Sequence, residues 1–133
     1  MDHRLTLIAQ ACLDAAAQNS MTFPQIVGTL MQAGFESYMV DYRRSTATYY
    51  LPDGESLVLS TCHGRSPIAA ALDGAALLAA IADAQQKVPG YTYAGFCAKV
   101  MAAGCAGYIV SFTGRRVVYF GRTGETHTEH FPR

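Results

Sequence analysis

The chain has 133 residues, half of them apolar and 15% charged, with ten basic and ten acidic side chains and zero formal net charge. That length fits one domain with a real core, and that composition excludes a disordered chain. A neutral chain lacks the basic face with which a general nucleic-acid binder displaces counterions, so no nucleic-acid partner is expected.

Residues 5–18 place Leu5, Ile8, Cys12 and Ala15 at helical spacing, flanked by Leu7 and Ala11, which predicts an amphipathic helix. Asp2, Gln10, Asp14 and Gln18 interrupt the apolar stretch from Met1 to Ser20, unlike a secretory segment. No apolar run reaches the roughly 18 residues of a membrane span, so a cytoplasmic protein with no membrane partner is expected. Thr22 opens a second helix as N-cap, with Gln25 three residues on and Pro24 in the first turn. Phe23, Ile26, Val27, Leu30 and Met31 are its expected buried stripe, and Gly34 its C-cap. Strands are expected over 37–42, 46–51 and 55–61. The turn at Arg43, Arg44 and Ser45 separates the first two, and Pro52, Asp53 and Gly54 separate the last two. Asp73 then caps a helix carrying Leu77, Leu78 and Ile81, and Thr92 caps one carrying Tyr93, Phe96, Cys97, Val100 and Met101, ended by Gly104. Strands are expected again over 107–112, 116–121 and 125–131.

The order ααβββ thus occurs twice, and the residues repeat with it. At an offset of 70, residues 22–56 match 92–126 at nine of thirty-five positions. Thr22/Thr92, Gly34/Gly104, Tyr38/Tyr108, Val40/Val110, Tyr49/Tyr119 and Glu55/Glu125 are among them. An internal repeat decides architecture before any local signal does. The expected fold is α+β, a duplicated ααβββ unit in one domain over 1–133. The first repeat covers about 1–62, the linker about 63–70 and the second repeat about 71–133. Turns this short cannot cross over to a parallel neighbour, so each unit is an antiparallel meander, and the helices should cover one face of the sheet about a pseudo-twofold axis.

The string Gly34, Phe35, Glu36, Ser37, Tyr38, followed by Val40 to Arg44 and by Thr48 to Ser56, resembles the first half of the YbcV-like family. The strings from Tyr91 to Phe96 and from Tyr119 to Pro132 are similar to its second half. This is a bacterial family of unknown function, sometimes labelled phage envelope protein. The resemblance covers nearly the whole chain and implies no assigned activity or catalytic residue.

Places where the copies disagree are the best pointers to function. Leu57, Leu59 and Thr61 correspond to His127, Glu129 and Phe131, so a carboxylate and an imidazole stand where the first copy has leucines. A buried carboxylate without a partner costs several kcal/mol, so the position is paired, solvated or in a pocket. One reading makes His127, Glu129 and Glu125 acid–base or binding groups, with Arg122 and an Arg of the first hairpins as partners of Glu129. The other makes them a solubilising edge strand. Arg43 and Arg44 in one copy, and Arg115 and Arg116 in the other, stand at hairpin tips and suit a carboxylate or phosphate, or simply a solvated turn.

Cysteine spacing carries no metal motif. Cys12, Cys97 and Cys105 fall on helix stripes as core residues, and Cys62 beside His63 is the most reactive candidate. No metal and no cofactor are expected. The sequence leaves three functions open: a non-enzymatic binding module for a small ligand or protein partner, an acid–base enzyme at Glu125, His127 and Glu129, and a structural subunit that forms a homo-oligomer.

Overall fold

A computed structural model describes residues 1–61 and 66–132. The elements run α1 (His3–Ala17), α2 (Phe23–Ala33), β1 (Ser37–Asp41), β2 (Thr46–Tyr50), β3 (Ser56–Ser60), α3 (Gly74–Gln86), α4 (Tyr93–Ala102), β4 (Cys105–Ser111), β5 (Arg116–Gly121) and β6 (Thr126–His130). The α+β class and the double ααβββ order follow the expectation. Caps start the helices where the sequence places them. Thr22 and Gln25 form a reciprocal capping box, Asp73 accepts from the Ala76 amide, and Thr92 accepts from the Gly95 amide.

All six strands join one antiparallel sheet in the order β3-β2-β1-β4-β5-β6. Each repeat is a meander, and β1 and β4 weld the two together. Their register pairs Ser37 with Ser111, Met39 with Ile109 and Asp41 with Gly107. Met39 and Ile109 are equivalent residues of the two copies, so the pseudo-twofold axis passes between them.

Strand alternation sends Tyr38, Val40, Ala47, Tyr49, Tyr108, Val110, Val117 and Tyr119 to the side the helices cover, and all are buried. Leu30 of α2 and its equivalent Val100 of α4 are fully enclosed above them. Burying each such aliphatic side chain stabilises the fold by roughly 1.5–3 kcal/mol. The tyrosines supply area together with polar tips. Tyr108 stacks edge-on to Tyr38 and Tyr42, and its hydroxyl lies 2.7 Å from that of Tyr93. As adjacent strand residues must, Tyr49 and Tyr50 face opposite ways, and Tyr50 lies on the side without helices.

The structure departs from expectation in three places. Phe23 and Met31 do not share the buried stripe of α2 but are 42% and 49% exposed. Ile26, Val27 and Leu30 point at the sheet, which leaves Phe23 and Met31 on the flanks of the helix. Met101, the equivalent of Met31, is enclosed, because the backbone of Ala69 crosses the end of α4 and donates to the Met101 carbonyl. Leu78 of α3 is also exposed, and Ala80 takes the inward position. Finally, β4 starts two residues early, at Cys105, because a register shift between Cys105 and Gly107 lets its pairing with β5 continue. Cys62 and His63 of the linker lie outside the described residues. Among those described, no helix is long and apolar enough to cross a membrane.

Candidate functional site

Strands β1 and β5 run the same way, so their C-terminal turns meet at one end of the sheet. In the turn after β1, the Asp41 carboxylate accepts from the backbone amides of Arg43 and Arg44 at 2.9 and 3.2 Å, and Ser45 takes a left-handed conformation. This Asx geometry holds the turn and directs the Arg43 and Arg44 side chains away from it. The turn after β5 carries Arg122 and closes at Gly124, whose φ is +87°. The segment that enters the second repeat crosses this end, and Arg122 Nη1 donates to the Ile68 carbonyl at 3.1 Å.

A cleft of about 640 Å³ results, lined by Tyr42, Arg43, Arg44, Ser45, Ser66, Ile68 and Arg122. Among the described residues no carboxylate lines it, and none of the three guanidinium groups is in an ion pair. Tyr42 reaches inward and donates to Cys97 Sγ at 3.5 Å. Burial pushes its hydroxyl well above the usual range, so it stays a neutral phenol in the core and only the flank of the ring borders the cleft.

The other predicted residues lie elsewhere. Arg115 and Arg116 sit at the opposite end of the sheet and are engaged locally. Arg115 Nη2 donates to the Pro132 carbonyl while its guanidinium lies 5.8 Å above the Phe131 ring. Arg116 Nε donates to the Gly114 carbonyl. Glu125 accepts from the Thr123 hydroxyl and from the Leu72 amide, which tethers the approach to α3. Its equivalent Glu55 lies 3.8 Å from the Met1 amino group, at the approach to α1. The two copies thus use this glutamate alike.

His127 and Glu129 stand on β6, an edge strand, and face the helices. They bond each other, His127 Nε2 to Glu129 Oε2 at 2.8 Å, and Gln85 of α3 donates to the second carboxylate oxygen at 3.4 Å. Both are a little over one quarter exposed. Of the expected partners of Glu129, Arg122 lies beyond the opposite end of β5, and Arg115 and Arg116, at Glu129's own end of the strand pair, bond Pro132 and Gly114 instead. The imidazole stacks 6.4 Å from the Tyr119 ring, and the pair lines neither of the two cavities described here. The smaller cavity, about 140 Å³ between α3 and α4, holds Asp83 and Lys99, which neutralise each other at 3.5 Å.

Cys12, Cys97 and Cys105 are buried as free thiols. Burial raises Cys12 and pushes Cys97 and Cys105 from 9.0 up to about 11. That is the reverse of an activated nucleophile. Among the described residues, no three His, Cys, Asp or Glu side chains gather as a metal site.

Sequence reasoning named Arg43, Arg44 and Arg122 as site residues, and Tyr42 among the hairpin tyrosines suited to a pocket wall, but not Ser45, Ser66 or Ile68. The path of residues 66–72 over the sheet end creates the last two, and no local pattern encodes it. Comparison with protein-family models and with curated proteins gives no match.

Proposed function

We propose that the protein is a non-enzymatic binding module that takes a small carboxylate or phosphate ligand in the arginine-lined cleft. One observation carries this reading: Arg43, Arg44 and Arg122, from turns of opposite repeats, line a single concavity in which no described residue places a carboxylate. Guanidinium groups pair with carboxylate and phosphate through forked, charge-assisted hydrogen bonds worth about 1.5–3 kcal/mol each. Without an internal counter-ion, the three donors carry positive charge that an anion can neutralise. Ser45 and Ser66 add hydroxyls, and Ile68 and the Tyr42 ring give the cleft an apolar wall. With it goes a cytoplasmic location, which suits a core holding three free thiols.

Calorimetric titration with inorganic phosphate and with succinate at low salt tests the proposal. Binding of at least one probe is expected, weakening about tenfold or more in Arg43→Ala and in Arg122→Ala and unchanged in Arg115→Ala. Binding that ignores Arg43 and Arg122, or no binding of either probe, refutes it.

The enzyme reading at Glu125, His127 and Glu129 rests on the 2.8 Å contact between imidazole and carboxylate. Against it, Glu125 is committed to Thr123 and Leu72, and the pair opens into neither cavity. Under the binding proposal, His127→Ala leaves the titration unchanged.

A further inference from the structure

The four helices cover one face of the sheet, and no element of the described chain packs on the other. The registers define what that open face presents. Its middle row runs straight across all six strands: Val58, Thr48, Met39, Ile109, Val118 and Thr128. The row contains no charge, and Val58 and Ile109 are 60% and 40% exposed. On one side of it lie Ser60, Thr46, Asp41, Gly107, Phe120 and Thr126. On the other lie Ser56, Tyr50, Ser37, Ser111, Arg116 and His130. Phe120 lies flat over Gly107, where a Cβ would stand 2.7 Å from its ring, so the aromatic area adds to the surface. An open antiparallel face that only meets water is usually studded with charges. Here Asp41 and Arg116 are the only acid and the only Lys or Arg among these eighteen positions.

We infer that this face is the dimer interface of the protein, and that a second copy of the chain covers it. Three arguments select that occupant. The first is size. Six strands about 4.8 Å apart and five residues long at about 3.3 Å span roughly 500 Å² in projection, and side-chain relief brings the accessible area near the roughly 800 Å² per partner of a stable complex. The second is shape: the face is flat and regular, and sheets pack on sheets about 10 Å apart by interdigitating such rows. The third is charge and symmetry. Asp41 and Arg116 lie at opposite ends of their strands, so a twofold axis lying in the interface and inclined to the strands brings Asp41 of one copy over Arg116 of the other. Such a twofold makes the interface isologous and the assembly closed.

Sedimentation equilibrium of the full chain at 1–100 μM tests the inference without reference to the arginine cleft. A dimer is expected, and Ile109→Lys, at its centre, should weaken it at least a hundredfold while far-ultraviolet circular dichroism stays unchanged. Val58→Lys, at a more exposed edge position, serves the same purpose if Ile109→Lys does not fold. Leu7→Lys, 57% exposed on α1, should leave the dimer intact. A monomer at 100 μM overturns the inference. So does a dimer that survives the folded face variant, since such a dimer pairs through strand edges or helices instead.

Discussion

Met39 and Ile109 lie opposite one another in the central strand pair, and each is the other's equivalent in the repeat. A residue and its own copy meet only on a symmetry axis. The axis therefore runs through the middle of a hydrogen-bonded ladder, and neither repeat has a complete sheet without the other. Equivalent core positions should then report one cooperative transition.

Leu30 and Val100 test this, since both are fully enclosed at matching positions. Leu30→Ala should cost about 2–5 kcal/mol and Val100→Ala somewhat less, in keeping with the smaller volume lost. Both should shift the same single urea transition without changing its slope. Two separable transitions, each moved by one variant, would show that the halves unfold independently.

The glycines that end α2 and follow α4 make a sharper comparison. Gly34 and Gly104 are equivalent and both left-handed, with φ of +105° and +95°. Alanine at either site is strained by about 1–2 kcal/mol. At Gly34 an added Cβ meets open space, whereas at Gly104 it overlaps the Ala71 backbone. Gly104→Ala should therefore cost at least twice as much as Gly34→Ala in thermal or urea unfolding. Equal costs would mean that residues 69–72 do not press on the end of α4.

That contrast also marks the limit of what the sequence reveals. Caps, turns and strand alternation are local, and Thr22, Asp73, Thr92 and Gly54 declare them directly. The offset of 70 adds the long-range order, because equivalent strands must play equivalent roles. What stays hidden is everything residues 66–72 do. They cross the sheet end, enclose Met101 but not Met31, and join Ser66 and Ile68 to three arginines. Met31 and Met101 are identical in sequence, so no pattern at those positions could separate them. For the same reason, alternation placed His127 and Glu129 on one face but could not reveal that Gln85, rather than an arginine, meets them there.

Stability should be lost at alkaline pH through the buried thiols. Cys97 and Cys105 are pushed from 9.0 up to about 11 by burial, so both stay protonated in the folded state after they ionise in the unfolded chain. The folded pKa is the higher one, and the contribution is therefore complete below pH 9 and drains away between about pH 9 and 11. Two units correspond to on the order of 2–3 kcal/mol per thiol. The unfolding free energy should fall across that window, and Cys97→Ala should flatten the fall. In the native state at pH 8, Cys12, Cys97 and Cys105 should react slowly with a thiol reagent. Two or more fast thiols would contradict this burial.

Replacing His127 and Glu129 together separates edge protection from ligand binding. The pair sits on an edge strand, bonds internally and touches Gln85, while the first copy has Leu57 and Leu59 at the matching sites. Those leucines are half-buried and pack against the core, so the frame accepts them. The variant His127→Leu/Glu129→Leu should fold and keep its stability within about 1 kcal/mol, because a partly exposed hydrogen-bonded pair contributes little. It should bind phosphate or succinate as the parent chain does, since neither residue lines the arginine cleft. What it should lose is protection of the β6 edge, where inward-facing charge opposes pairing with another chain. Light scattering at increasing protein concentration should show faster aggregation than the parent. A soluble variant with lost anion binding would reverse the assignment and place the functional site on β6.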